Sequence, residues 1–283
     1  MPSSKTVIVI CGPTASGKTQ FAVDLAKMLH TEIISSDSRQ CYKELNIGVA
    51  RPSQQQLSEV KHHFINSHSI FENVNAASFE KYALNELNEI FIEHDIAVMT
   101  GGTGLYVRSF LEGLDEIPET DTKTEEEIKT NFKSYGIDWL QSRLKELDPR
   151  YFAEGEIQNP HRLLRALAVK LTTGKSILDF HKKNIAVREF NVRKIWLEIP
   201  RKELYRRIDS RVDQMMDAGL LDEVKNLYQF KELNSLQTVG YKELFDYLDG
   251  KTDLEKAISL IKQNTRHYSK RQITWFRKYF LHD

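Results

Sequence analysis

The chain has 283 residues, and its 40 lysine and arginine residues are balanced by 40 aspartate and glutamate residues. At ~100–200 residues per domain this length predicts about two domains, and a mean hydropathy of −0.48 argues against a membrane-embedded chain. The apolar stretches are strand-length, and the first residues lack the apolar core of a signal peptide. Two cysteines, Cys11 and Cys41, cannot build a disulfide scaffold or a four-ligand zinc site, so an intracellular, reduced protein is expected.

Short apolar runs alternate with helical patterns through the first hundred residues. Val7–Cys11, Ile33–Ile34 and Asp95–Met99 are predicted to be buried strands, and a helical pattern covers Phe79–Ile92. This alternation predicts an α/β fold in which helices cover a parallel sheet. A later strand is predicted at Ile195–Ile199.

Residues 122–178 carry only helical patterns, which predicts an all-helical subdomain inserted into the α/β core. Asn159 and Pro160 are predicted to cap and begin one of its helices. After Pro200 the pattern is helical again, with a capping box predicted at Thr252–Glu255 for the last helix. The predicted organisation is a core over residues 1–118, a helical insertion over 119–188, and a region over 189–283 that completes the core with carboxy-terminal helices.

A phosphate-binding motif follows the first predicted strand. The motif G-x-x-x-x-G-K-[ST] is matched at every fixed position by Gly12, Pro13, Thr14, Ala15, Ser16, Gly17, Lys18 and Thr19. Such a P-loop directs backbone N–H groups toward phosphate oxygens, with Lys18 on the outer phosphates and the Thr19 hydroxyl on Mg²⁺. The sequence therefore predicts a polyphosphate site that uses Mg²⁺ as its cofactor.

No acid follows the strand at Asp95–Met99, where an ATPase usually places the carboxylate that organises Mg²⁺ and water. Residues 100–104 follow it instead, and the candidate acid is Asp37, after the second strand. Because the carboxyl ends of parallel strands share a crevice, Asp37 and Thr103 are predicted to lie near bound phosphates. The alternative for Asp37 is a loop or helix-cap aspartate.

Acidic and basic residues are segregated along the chain. Residues 112–127 are mainly acidic, whereas Lys262, Arg266 and Lys270 recur at every fourth position of the last predicted helix, with Arg277 near the same stripe. The stripe predicts a basic face that follows RNA phosphates, and the alternative is an ordinary solvated face. Core packing is preferred over base stacking for three aromatic residues of this helix: Trp275, Phe276 and Tyr279.

The series of motifs resembles the tRNA dimethylallyltransferases (isopentenyl-tRNA transferases). It extends over nearly the whole chain and comprises Gly12–Thr19, Asp37–Tyr42, Asn46–Pro52, His62–Ile65, Gly101–Tyr106, Asn159–Ala166, Arg211–Met215, Val239–Glu243 and Lys270–Arg277. The resemblance implies transfer of a dimethylallyl group from dimethylallyl diphosphate to the exocyclic N6 amine of the adenosine 3′-adjacent to the anticodon of tRNA. Since diphosphate is the leaving group, a phosphate cradle with Mg²⁺ can stabilise the charge that develops on it.

The resemblance also implies roles for individual residues. Asp37 positions the amine and acts as base, Thr103 contacts the diphosphate oxygen at the bond that breaks, and Arg211 binds the diphosphate with Lys18 and Thr19. Contacts with the tRNA anticodon loop are assigned to Asp37, Ser38, Arg39, Gln40, His161, Arg162, Leu163, Leu164, Arg165, Gln237, Thr238, Val239, Gly240, Tyr241, Lys242, Lys270, Arg271, Gln272, Ile273, Thr274, Trp275, Phe276 and Arg277.

The sequence departs from the family pattern at Glu125, where an arginine that points toward substrate is common, so this contact is not expected. Arg51 replaces a common lysine and keeps its charge. The zinc-finger extension of the eukaryotic enzymes is missing, so the resemblance implies a bacterial-type, cytoplasmic enzyme that acts as a monomer. His62 and His63 are predicted to be structural residues rather than metal ligands.

Three other functions share part of these features. An adenylate isopentenyltransferase would use the P-loop, Asp37 and Thr103 on a free nucleotide, and a small-molecule kinase would need a second site for its phosphoryl acceptor. A non-enzymatic, nucleotide-gated RNA-binding protein would explain the basic faces but would leave Asp37 and residues 101–104 unused. The helical insertion and the basic last helix favour the tRNA-modifying enzyme.

Overall fold

A computed structural model of the protein describes residues 5–181 and 185–280. The chain divides into two compact units, one formed by residues 1–112 and 187–283 and the other by residues 113–186. We call them the core unit and the insertion unit. The boundaries predicted from the sequence lie a few residues further along the chain than these.

The core unit contains a five-stranded sheet. Its strands are β1 (Thr6–Cys11), β2 (Ile33–Ser35), β3 (His62–His63), β4 (Ile96–Gly101) and β5 (Asn191–Trp196). Their order is β3-β2-β4-β1-β5, and all neighbouring pairs are parallel. The helices of the chain are α1 (Lys18–Met28), α2 (Gln54–Glu59), α3 (Ala76–Glu93), α4 (Gly104–Glu112), α5 (Thr122–Leu147), α6 (Pro149–Glu154), α7 (Pro160–Thr173), α8 (Arg201–Asp217), α9 (Leu220–Leu227), α10 (Tyr241–Leu248) and α11 (Leu254–Tyr279). The predicted fold class is confirmed.

Alternate residues of the central strands pack against opposite layers of helices, as the two-residue period of a strand requires. Val7 and Val9 of β1 belong to a core that includes residues of α3, α4, α10 and α11, whereas Ile10 packs with residues of α1. The register pairs Cys11 with both Gly101 and Trp196. Ser35, the last residue of β2, pairs with Thr100 of β4. Since β1, β2 and β4 end at nearly the same level, the loops that follow them lie side by side.

Strand β5 differs from its prediction, which placed it at Ile195–Ile199. It spans Asn191–Trp196, pairs with β1 along its whole length and forms one edge of the sheet. Its polar first residues are exposed at that edge, so no continuous apolar run marks where it begins. Strand β3 was not predicted, because its two residues, His62 and His63, are too short a run for a period to be visible.

Helix caps were predicted with mixed success. The Asn159 side chain accepts a hydrogen bond from the His161 N–H at 3.0 Å, which confirms the predicted cap of α7. The capping box predicted from Thr252 is wrong, because Asp253 is the N-cap of α11 and accepts from the Lys256 N–H at 2.7 Å. The Asp253 carboxylate accepts from a free N–H group of the first turn, so the cap lies one residue later than expected.

The insertion unit consists of α5, α6, α7 and a 3₁₀ turn at Ile177–Phe180. Its own apolar core includes Leu140 and Leu144 of α5 with Leu163 and Leu167 of α7, all fully buried. Among the described residues, no helix is both long enough and apolar enough to cross a membrane.

Candidate functional site

The P-loop lies between β1 and the N-terminus of α1. Its backbone turns through Ala15 and Gly17, both with positive φ, and α1 begins at Lys18. The Lys18 Nζ donates a hydrogen bond to the Pro13 carbonyl at 2.7 Å, and burial lowers the pKa of this amine to about 8. The buried Ser16 hydroxyl has no hydrogen-bond partner among the described residues. An anion at this helix N-terminus would supply the acceptors that these groups lack.

Asp37 lies in the loop after β2. Its Oδ1 accepts hydrogen bonds from the backbone N–H groups of Arg39 at 2.9 Å and Gln40 at 3.3 Å. These two bonds fix the side chain in the manner of a capping aspartate and orient its second oxygen. The alternative interpretation of Asp37 as a capping residue and its predicted place beside the phosphate site are therefore compatible.

Thr103, in the loop after β4, is joined directly to the loop after β2. Its Oγ1 accepts from the Ser38 N–H at 3.0 Å and donates to the Ser38 Oγ at 3.2 Å. At Gly101 a Cβ atom would lie 2.2 Å from the Ser36 Oγ, so only glycine permits this approach of the two loops. Thr103 is thus held beside the Asp37 loop, and its place near bound phosphates stays a prediction.

Two cavities meet in the core unit. The phosphate-side cavity, of about 300 Å³, is lined by the P-loop, Gln56, His62 and Gly102, among others. The distal cavity, of about 120 Å³, is lined by Arg39, Met215 and residues 238–240, among others. The residues that line both are Thr14, Asp37, Val49, Ala50, Arg211 and Tyr268. We call these six the junction.

Arg211 reaches the junction from α8. Its Nη1 donates to the Thr14 hydroxyl at 3.4 Å, and burial lowers the pKa of its guanidinium while the nearby Asp37 carboxylate raises it. The cation therefore lies between the P-loop and the only carboxylate of the junction. This position suits a group that binds a diphosphate.

Glu223 holds the loop that supplies Val49 and Ala50 to the junction. Its carboxylate accepts from the backbone N–H groups of Asn46, Ile47 and Gly48 at 3.2, 2.8 and 3.0 Å. It also accepts from the Tyr241 hydroxyl at 2.6 Å. Glu223 belongs to α9, so these four hydrogen bonds attach the loop at residues 46–48 to that helix. This role of Glu223 was not predicted from the sequence.

We expect Glu223→Gln to lower the free energy of unfolding by about 1–3 kcal/mol, since an amide nitrogen would face donors that need an acceptor. Tyr241→Phe removes one of the four donors and should cost about 1 kcal/mol. Urea denaturation of both variants measures the difference. Equal stability of Glu223→Gln and the unchanged protein would contradict this role.

Gln272 of α11 connects the P-loop with the loop after β4. Its Oε1 accepts from the Thr14 N–H at 2.8 Å, and its Nε2 donates to the Gly102 carbonyl at 2.9 Å. Because the side chain is buried and both of its polar ends are used, the predicted contact of Gln272 with RNA is wrong. Its position instead makes it a positioning residue for the phosphate site.

Other predicted RNA contacts are also internal. The side chains of Leu163, Tyr241 and Phe276 are completely buried, so their predicted RNA contacts are wrong. Arg165 donates to the Thr120 hydroxyl and the Pro118 carbonyl, and Glu125 accepts from Thr120 and Lys129, all within the insertion unit. Residues of the predicted set that remain exposed are His161, Arg162, Gln237, Lys242, Lys270, Arg271, Thr274 and Arg277.

Two residues of the basic stripe predicted for α11 bind carboxylates of the protein itself. Lys262 forms an ion pair with Asp213 at 2.6 Å, and Arg266 binds both carboxylate oxygens of Asp209 at 2.9 and 3.0 Å. These partners lie one turn apart on α8, so this part of the stripe faces a neighbouring helix. Lys270 is exposed and remains available to a phosphate.

Mg²⁺ requires oxygen ligands, and the phosphate-side cavity offers the Thr19 hydroxyl and the Asp37 carboxylate. Within the described residues, no cluster of three or more histidine, cysteine, aspartate or glutamate side chains could hold a metal. The residues therefore fit an ion that takes most of its ligands from a bound diphosphate and water. His63, which was predicted to be a structural residue, contacts the carboxylates of two residues of the core unit, Glu32 and Glu86, at 2.5 and 2.6 Å.

Comparison with known proteins identifies relatives over nearly the whole chain. A family model described as IPP transferase matches residues 40–279. A tRNA dimethylallyltransferase of Christiangramia forsetii is 48% identical over 275 residues, which cover 97% of this chain and 91% of that protein. One of Cytophaga hutchinsonii is 44% identical over 97% of this chain and 90% of its own length.

Solved structures are similar over the same extent. The full-length tRNA isopentenylpyrophosphate transferase of Bacillus halodurans superposes with a TM-score of 0.70 at 38% identity, covering 98% of this chain and 88% of that one. A eukaryotic dimethylallyltransferase acting on tRNA gives a TM-score of 0.80 at 29% identity, over 96% of this chain and 70% of its own. With a family model across most of its length and relatives of this similarity, the chain belongs to the IPP transferase family.

Proposed function

We propose that the protein transfers the dimethylallyl group of dimethylallyl diphosphate to the exocyclic N6 amine of the adenosine 3′-adjacent to the anticodon of tRNA. The observation that carries this proposal is the junction, where a P-loop cavity and a second cavity meet at Asp37 and Arg211. The diphosphate occupies the phosphate-side cavity and the adenine enters the distal cavity. The two substrates then meet from opposite sides.

The reaction forms one bond and breaks one. The N6 nitrogen attacks the allylic C1, the C1–O bond breaks with its electron pair on the diphosphate, and the amine loses a proton. Asp37 accepts that proton through the oxygen that does not bind the Arg39 and Gln40 N–H groups, and later releases it to water. Lys18 and Arg211 stabilise the charge that collects on the leaving diphosphate.

Thr103 and Thr19 complete the phosphate site in this proposal. The Thr103 hydroxyl can turn from Ser38 toward the bridging oxygen, since its present bond to the Ser38 Oγ is long at 3.2 Å. Thr19 would hold Mg²⁺, which when bound supplies further positive charge to the diphosphate.

A labelling experiment tests the proposed function. The protein is incubated with labelled dimethylallyl diphosphate and, separately, with unmodified tRNA, AMP or ATP. Label in tRNA supports the proposal, and digestion of the product to nucleosides identifies the adenosine. Label in AMP or ATP with none in tRNA would contradict it and favour an adenylate isopentenyltransferase.

Salt dependence separates the exposed Lys270 from its paired neighbours. Each phosphate contact contributes about −0.7 to the slope of log K against log salt for single-stranded RNA. We expect Lys270→Gln to flatten the slope for tRNA binding by about 0.7. The matched double variant Lys262→Gln, Arg266→Gln should leave the slope unchanged, because both side chains bind α8 carboxylates. A slope that changes only in the double variant would contradict the pairing.

A further inference from the structure

Tyr268 belongs to the junction, although no motif in the sequence pointed to it. It lies in the middle of α11 and lines both cavities. The other five residues of the junction are aliphatic, hydroxyl-bearing or charged, so Tyr268 supplies its one aromatic ring. A side chain in this position borders the space where the two substrates must touch.

The side chain of Tyr268 has two neighbours besides the cavities that it lines. Its hydroxyl lies near the side chain of Thr103, the residue that binds Ser38. The Arg271 guanidinium lies over the ring, 5.8 Å from its centroid. Burial raises the pKa of the Tyr268 hydroxyl, so the side chain stays neutral at physiological pH.

In the proposed reaction, a positive charge develops beside the junction and must be stabilised. As the C1–O bond lengthens, positive charge develops on the allylic group and is shared between C1 and the dimethyl-substituted carbon. The Arg211 cation opposes this charge, and the Asp37 carboxylate is engaged with the amine proton. The face of an aromatic ring is negative and attracts a cation, most strongly where water is excluded.

We propose that Tyr268 is a further catalytic residue, whose ring stabilises the positive charge of the allylic group in the transition state. The hydroxyl of Tyr268 is secondary in this role. This inference rests on the proposed function, because the cation arises only if an allylic diphosphate is the substrate. The interaction strengthens as charge develops, so it lowers the barrier rather than improving binding.

Two variants separate the ring from the hydroxyl. A desolvated cation–π contact of about 2 kcal/mol corresponds to a rate factor of roughly 30. We expect Tyr268→Leu to lower the single-turnover rate by roughly 10- to 30-fold, with dissociation constants for dimethylallyl diphosphate and tRNA within about twofold of the original. Tyr268→Phe should keep the rate within about threefold. Equal loss in both variants would assign the effect to the hydroxyl and overturn the proposal.

Fluorinated phenylalanines at position 268 give a readout that packing does not move. Each added fluorine weakens the negative face of the ring with little change in size, so the logarithm of the single-turnover rate should fall steadily along the series. The same series at Tyr279, on α11 but outside both cavities, is the matched control and should be flat. A flat series at position 268 would overturn the proposal.

The wild-type protein is measured first with tRNA. If it transfers no label, the proposed function itself is contradicted and this inference falls with it. If it transfers label while the variants at position 268 do not follow the expected order, the inference about Tyr268 alone is wrong.

Discussion

Replacement of Asp37 by asparagine is expected to lower turnover by about 10²–10⁴-fold, the usual contribution of a positioned acid–base group. Asparagine keeps an oxygen that can accept from the Arg39 and Gln40 N–H groups, so the loop after β2 should retain its conformation. It lacks the basic second oxygen. The measurement is the single-turnover rate with saturating dimethylallyl diphosphate and tRNA.

The control for this variant is Asp24→Asn, on the exposed surface of α1, where the carboxylate binds only Gln20 among the described residues. It should leave the rate unchanged. Affinity for tRNA should fall much less than turnover in Asp37→Asn, because the predicted RNA contacts include many other residues. Near-normal turnover in that variant would show that the base is another group.

Removal of the insertion unit is expected to weaken tRNA binding while diphosphate binding remains. The core unit has its own sheet and apolar cores, and residues 113–186 have a separate one. Replacing residues 113–186 by a short flexible linker should therefore leave a folded protein. We expect at least about a tenfold loss of tRNA affinity, or 1.4 kcal/mol, measured by filter binding.

A matched variant tests the same idea in the full chain. His161→Ala combined with Arg162→Ala removes two exposed side chains at the start of α7 and no core contact. This double variant should lose part of the affinity that the excision loses, with an unchanged dissociation constant for dimethylallyl diphosphate. Full tRNA affinity in the trimmed protein would mean that the insertion has another purpose.

Features set by local patterns or by the logic of a parallel sheet were predictable. The P-loop is a contiguous motif between a strand and a helix, so both its position and its conformation follow from eight residues. Asp37 and Thr103 are 66 positions apart, yet their proximity follows because parallel strands present their carboxyl ends at one edge.

Features that depend on helix packing were not predictable. Gln272 and Glu223 are single polar residues within helical patterns, and nothing nearby in the sequence shows that the P-loop and the loop at residues 46–48 are their partners. Lys262 and Arg266 were correctly predicted to lie on the last helix. They were predicted to face RNA, but they face α8. Its partners on α8 become visible only when the two helices pack together.

The late entry of β5 has a consequence for synthesis of the chain. Strand β1 carries the P-loop and pairs on one side with β4, but its other side pairs with β5, about 185 residues later. While the insertion unit is being translated, the edge of β1 that β5 will cover has no strand beside it. An open edge can recruit strands of other chains, and contacts this distant in sequence form slowly. We therefore expect nascent chains that stall before residue 191 to aggregate more readily than the full-length chain.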